Sequence, residues 1–214
     1  MTGLMQTPAD LPRPVDDGAC NHLPGLPLPD VTLASTRGTQ INLRALPPGR
    51  CVIFCYPMTG QPSVALPEGW DAIPGARGCT PQACSFRDSV ADFAKLGVSV
   101  FGVSTQTADY QREMAERLHL PYDVLSDAQL EFARALNLPV FEAAGAMLIK
   151  RLTLISRDGV IEAVLYPVFP TDQSAAQTLA CLRALGVRHQ AASSILPQDV
   201  RPASGLVSDT GSAS

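Results

Sequence analysis

The sequence predicts a single α/β domain built on a mixed central sheet with helices on both faces. Three observations carry that reading. The runs CVIFCYP (51–57) and VSVFGVS (98–104) are nearly continuous in apolar residues, as expected for strands covered on both sides. Segments with apolar residues at helical spacing alternate with them, the order that builds a sheet between helical layers. Near the end, RLTLIS (151–156) and VIEAVLYPV (160–168) flank Arg-Asp-Gly and read as a closing hairpin. A length of 214 residues suits one domain of ordinary size.

In chain order, VTLAS (31–35) and TQINL (39–43) enclose a glycine-containing turn and predict a short hairpin. CVIFCYP is the central strand. After a turn-rich stretch, Ala83, Phe86, Val90, Phe93 and Leu96 keep a helical period to residue 96. VSVFGVS is the next strand and ADYQREMAERLHL (108–120) an amphipathic helix. PYDVLSD then supplies a short strand, DAQLEFARAL a helix, and SAAQTLACLRAL (174–185) the last helix. Residues 1–28, rich in Pro, Asp and Gly, read as a flexible leader to a domain over 29–189. Residues 190–214, rich in Ser, Ala, Pro and Gly, read as a disordered tail.

Composition narrows the functional classes. A net charge of -4 without a basic run excludes nucleic acid as a main partner, because phosphate contacts need clustered Lys and Arg. No stretch of 18 apolar residues occurs, and the first seventeen residues lack both a basic start and an apolar run. A soluble cytoplasmic protein is the expectation, with no membrane partner. Six cysteines (20, 51, 55, 79, 84 and 181) are too few for a disulfide scaffold, so a close pair is better read as redox-active. Cys51, Cys55 and Cys181 read as core thiols, and Cys20 as part of the loose leader. Four residues along a strand span about 13 Å, so Cys51 and Cys55 cannot share one zinc ion with Cys79 and Cys84.

The densest chemistry lies in Gly78-Cys79-Thr80-Pro81-Gln82-Ala83-Cys84-Ser85-Phe86-Arg87-Asp88. Threonine is a good N-cap and proline favours the first helical position, so the helix is expected to start at Thr80 or Pro81. Cys79 then sits at its mouth, where unpaired N–H groups and the positive end of the helix dipole favour a thiolate. Cys84 falls five residues on. In an unbroken helix that spacing separates Cα atoms by about 8.6 Å, against the roughly 4.4–6.8 Å that a disulfide needs. The two can bond only if that end of the helix unwinds. On spacing alone, both residues read equally well as buried core thiols.

The run Cys-Thr-Pro-Gln-Ala-Cys-Ser-Phe-Arg-Asp resembles the signature of the peroxiredoxin Q group, also called bacterioferritin comigratory proteins. In that group Cys-Thr-x-Glu-x-Cys-x-Phe-Arg-Asp follows a strand ending in Tyr-Pro. Tyr56-Pro57, VSVFGVST and Arg151 at the head of RLTLISRDGVI extend the likeness over roughly residues 25–187. The resemblance implies a thioredoxin-like fold and a thiol peroxidase acting on hydrogen peroxide and organic hydroperoxides. It implies Cys79 as the peroxidatic cysteine, Cys84 as the resolving cysteine and Arg151 as the cation beside the thiolate. A thioredoxin-like protein would serve as reductant, and no metal or organic cofactor is implied. A monomer or weak homodimer is expected. Two other classes fit the same fold: a thiol-disulfide oxidoreductase or redox sensor, and a non-enzymatic interaction domain.

The chain departs from the group before Cys79. Pro57 and Cys79 stand 22 positions apart instead of close together, and Ala76 occupies the place of the group's threonine three before the cysteine. The intervening insert, 58–78, carries prolines at 62, 67 and 74, which limit its freedom and predict a defined excursion. Thr59 is the candidate to supply the missing hydroxyl. Pro57, Thr59 and the backbone of Gly78 are thus the expected substrate-binding elements. Gln82 replaces the group's glutamate and brings no charge. Arg77 reads as an exposed loop residue, and Trp70 as an anchor for the insert or a wall of the pocket.

Overall fold

A computed structural model describes residues 10–193, with side chains through residue 186. Nine strands and five α-helices occur among these residues: β1 (Thr32–Ser35), β2 (Gln40–Asn42), β3 (Arg50–Cys55), α1 (Cys79–Asp88), α2 (Val90–Lys95), β4 (Val98–Ser104), α3 (Ala108–Arg117), β5 (Asp123–Ser126), α4 (Glu131–Ala135), β6 (Val140–Ala143), β7 (Ala146–Ile149), β8 (Leu152–Arg157), β9 (Val160–Leu165) and α5 (Ser174–Ser193). Seven strands form one sheet in the order β2-β1-β5-β4-β3-β8-β9. The apolar runs 51–57 and 98–104 form β3 and β4, which pair in parallel at its centre, and β8 lies antiparallel on the other side of β3.

Alternation along β3 divides the interior in two. Val52, Phe54 and Tyr56 face the side covered by α1, α2, α3 and α5, where Phe54 stacks on Phe86 at 4.3 Å between ring centroids. Cys51, Ile53 and Cys55 face the other side, packed against Phe132 and Ala133 of α4 and against Leu33 and Leu43. Helices therefore lie on both faces, four of them on the side that carries Cys79.

Four expectations are corrected. The leader is not loose over 10–28: Cys20, Leu23 and Leu28 are buried. Gly25 and Leu28 donate backbone hydrogen bonds to Ile161 and Gly159 along the β9 edge. Each buried leucine contributes about 1.5–3 kcal/mol of transfer free energy, which fixes the segment despite its prolines. The helix expected through residue 96 starts at Cys79 and breaks at Ser89, whose φ of -101° and ψ of 2° close α1 and open α2. Residues 140–149 form an additional hairpin, β6 against β7, outside the main sheet. Finally, α5 continues to Ser193, four residues past the domain end expected at 189. The remainder of the tail, 194–214, and residues 1–9 lie outside the described residues.

The insert is an ordered excursion with a small core of its own. Trp70, only 3% exposed, packs with Ala76 and Leu148, and its ring lies 6.4 Å from that of Phe141 on β6. The tryptophan thus anchors the insert to the extra hairpin.

Candidate active site

The register of the sheet places the site. Leu152, the first residue of β8, pairs with Cys55, the last of β3, so Arg151 sits where the central strand ends. The insert leaves from that end and returns to it at Gly78, the N-cap of α1. Gly78 adopts φ of 103°, a conformation open to glycine. A Cβ there would also lie 2.2 Å from Oγ1 of the buried Thr171. Glycine is required on both counts, and it lets Cys79 become the first residue of the helix.

Arg151 organises everything around that cysteine. Its Nη2 lies 3.1 Å from the Sγ of Cys79 and donates to the carbonyls of Ala76 at 3.1 Å and Arg77 at 3.2 Å. Its Nε donates to Gly75 O at 3.3 Å, and its Nη1 to Gln82 Oε1. The side chain is 3% exposed, and among the described residues no carboxylate pairs with it. A lone buried cation costs several kcal/mol to desolvate. The sulfur of Cys79 is the only group in contact with it that can become an anion. The cradle of insert carbonyls holds the guanidinium in place, and Cys79 Sγ itself lies 3.7 Å from the carbonyl of Ala76.

Gln82 extends the network, for its Nε2 donates to Ser174 Oγ at 3.2 Å at the start of α5. Ser85 Oγ accepts from the N–H of Ala175 at 3.4 Å. The first turns of α1 are therefore latched to Arg151 on one side and to α5 on the other. Among the helix's first residues Pro81 has no N–H, and the earliest bond is Gln82 N–H to Gly78 O at 3.0 Å. The Cys79 and Thr80 amides are left over by helix geometry and lie at the positive end of the helix dipole.

Cys84 lies in the same unbroken helix, 3% exposed, among Phe86, Leu118 and Tyr122. Burial pushes its thiol up, and Arg87 offsets this only in part. Tyr122 Oη donates to Ala83 O at 2.7 Å beside it. Cys20 and Cys51 are driven up to about 12 and about 11, and Cys55 well above its usual value, in each case chiefly by burial. Cys20 is a buried core residue, which corrects its placement in a loose leader.

The predicted site residues divide. Cys79, Arg151 and Gly78 come together, with Cys84 one and a half turns along. Pro57 is buried nearby, with its carbonyl accepting from Ser104 Oγ at 3.0 Å. Thr59 is bound to Gln106: its N–H and hydroxyl both donate to Gln106 Oε1, at 2.8 and 3.1 Å, and its carbonyl accepts from Gln106 Nε2. Arg77 pairs with Asp71 at 2.6 Å on the surface, the plain loop role expected for it. Sequence reasoning missed Ser174 and Thr171, which carry no local signal and approach α1 only through folding.

The chain matches the family model described as Redoxin over residues 23–191. Over 160 residues it is 28% identical to the chloroplastic peroxiredoxin Q of Arabidopsis thaliana, covering 75% of this chain and 67% of that one. Among solved structures it is similar to the peroxidoxin BcpB of Mycobacterium tuberculosis, with 31% identity and a TM-score of 0.63, covering 77% of this chain and 99% of that one. The bacterioferritin comigratory protein of Xanthomonas campestris, at 20% identity and a TM-score of 0.59, shares the fold, covering 82% of this chain and 99% of its own. With a thioredoxin-like sheet, a cysteine at the head of α1 and a buried arginine upon it, the chain belongs to the redoxin family and is a thiol peroxidase of the peroxiredoxin Q type.

Proposed function

We propose that Cys79 is the peroxidatic residue, Cys84 the resolving residue and Arg151 the cation that serves the first of them. The observation that carries this is the 3.1 Å approach of Arg151 Nη2 to Cys79 Sγ inside a cradle of neutral acceptors. The thiolate of Cys79 attacks the terminal oxygen of a hydroperoxide R–O–OH. A sulfur–oxygen bond forms, the O–O bond breaks, and the departing RO⁻ takes a proton to leave as ROH. The charge that moves onto that oxygen meets the guanidinium and the free amides of Cys79 and Thr80.

The sulfenic acid on Cys79 then reacts with the thiol of Cys84, forming a disulfide and releasing water. While α1 is intact the two are too far apart, and burial keeps Cys84 protonated. Unwinding of the first turns removes both obstacles together. A dithiol protein of the thioredoxin type then reduces the disulfide by exchange, taking the oxidation onto its own pair of sulfurs.

Peroxide consumption in the presence of thioredoxin, thioredoxin reductase and NADPH tests this. Sustained turnover that is lost in Cys79→Ser is the expected result. A single stoichiometric oxidation without turnover would instead fit a redox sensor on the same fold.

A further inference from the structure

We propose that Asp17 and Lys150 are positioning residues for the peroxide step: their ion pair ties the N-terminal segment to the link that carries Arg151, and so holds the guanidinium against Cys79. The inference rests on the peroxidase reading and adds two residues that act through Arg151. Residues 150 and 151 are the whole connection between β7, which ends at Ile149, and β8, which begins at Leu152. Whatever fixes Lys150 therefore restricts the swing of Arg151. The Lys150 N–H donates to Pro139 O at 2.8 Å, which holds the link to the start of the extra hairpin. Its Nζ donates to Asp17 Oδ2 at 2.8 Å, which holds the link to the N-terminal segment.

Asp17 stands on a fixed mount. Its Oδ1 accepts from the N–H of Ala19 at 3.2 Å, which leaves Oδ2 for the lysine. Three residues on, Cys20 is buried in the core. Toward the other end of the segment, the guanidinium carbon of Arg13 lies 5.6 Å from the Phe169 ring centroid. Between these anchors Pro14 meets the insert, for a Cβ on Gly75 would lie 3.5 Å from it. The carbonyl of Gly75 is the acceptor for Arg151 Nε. The segment thus supports Arg151 twice, through its chain neighbour and through one of its carbonyl partners. Pro14, Gly75, Lys150, Arg151 and Tyr166 line a common pocket of about 210 Å³ that Cys79 does not line. The support therefore reaches the arginine from the side away from the sulfur.

Hydrogen bonds from Lys150, Tyr166 and the Ala19 N–H hold the Asp17 carboxyl down at about 2. The bond to Asp17 in turn raises Lys150, so the pair is intact at neutral pH. The two side chains are 47% and 37% exposed, and an ion pair so placed adds little to global stability. Its effect belongs to the geometry it enforces on the next residue. Pro14 and Asp17 precede residue 23, where the family match begins, so this support comes from outside the matched region.

The test measures the second-order rate of Cys79 oxidation by hydrogen peroxide in single turnover. Asp17→Asn and Lys150→Met should each lower it about two- to fivefold, the scale an exposed pair supplies, with the urea unfolding midpoint nearly unmoved. Lys150→Arg, which keeps the charge and the reach, should retain most of the rate. In an Arg151→Ala background Asp17→Asn should change the rate no further, because the pair acts only through the guanidinium. Arg151→Lys serves as the background should the alanine variant fail to fold. Unmoved rates in Asp17→Asn and Lys150→Met overturn the positioning role. So does a loss that persists in full without Arg151, which would mark a general structural effect. A wild type oxidised no faster than free cysteine overturns the peroxidase reading beneath it.

Discussion

Gln82 joins Arg151 to Ser174, its carbonyl oxygen facing the guanidinium and its Nε2 lying 3.2 Å from the serine hydroxyl. It stands three residues after Cys79 and two before Cys84, in the stretch that must unwind for the two sulfurs to meet. In the proposed mechanism the same amide steadies the arginine for peroxide attack and ties down the turn that resolution has to open.

Removing that tie should affect the two steps in opposite senses. In Gln82→Ala the buried network loses two hydrogen bonds, each with a net contribution of about 0.5–1.5 kcal/mol. Disulfide closure after a peroxide pulse should accelerate by roughly five- to 150-fold by that measure, tenfold for every 1.4 kcal/mol, while the peroxide step slows. Stopped-flow tryptophan fluorescence separates the two phases. Equal slowing of both would mean that Gln82 has a purely structural role.

Arg151 should be far more sensitive. Arg151→Ala removes the only cation in contact with Cys79 among the described residues, along with the donor set for three insert carbonyls, and the second-order rate with hydrogen peroxide should drop by roughly 10²–10³. Arg151→Lys restores a charge but not a planar fork able to reach sulfur, Gln82 and carbonyls at once, so it should recover only a small part. Rates measured in single turnover with excess peroxide check this, and full recovery by lysine would argue for simple charge.

Gly78→Ala tests the entrance to α1. The strained φ and the overlap with Thr171 together should cost about 2–4 kcal/mol in urea unfolding. Pairing it with Thr171→Gly relieves the overlap but not the φ, so about half should return. An unchanged unfolding midpoint in the single variant would contradict the close packing of Thr171 on the glycine.

Much of this was legible in the sequence, where the deciding signal is local. The apolar runs of β3 and β4 and the helical phase of Phe86 and Phe93 fixed the layers, and Cys79, Cys84 and Arg151 stood in a recognisable pattern. Non-local features were not legible. Ser89 breaks the helix without a proline or glycine to announce it. Residues 140–149 read as neither period because burial there is uneven: β6 is mostly half-buried, and β7 passes from exposed Ala146 and Met147 to buried Leu148 and Ile149. Cys20, Leu23 and Leu28 are too sparse among prolines to signal a core contribution. The carbonyls of residues 75–77 that hold Arg151 have no signature at all, since any residue offers a carbonyl and only the path of the insert aims them. Thr59 had the right chemistry, yet the loop gives it to Gln106.

Cys20, Cys51 and Cys55 should be quiet. With Cys20 at about 12 and Cys51 at about 11, their thiolate fractions at pH 8 are roughly one in ten thousand and one in a thousand. Burial adds a steric barrier, and Cys55 is more deeply held still. Brief iodoacetamide treatment of the reduced protein followed by peptide mass mapping should find Cys79 labelled first. Early labelling of Cys20 would contradict its place in the core.

Hydrogen–deuterium exchange over residues 79–88, compared between the reduced protein and protein oxidised with one equivalent of hydrogen peroxide, tests most directly that Cys79 and Cys84 join only by opening α1. The expected result is a mapped Cys79–Cys84 disulfide together with lost protection at the start of the helix. Formation of that disulfide with protection unchanged, or oxidation that leaves Cys84 free, would contradict it.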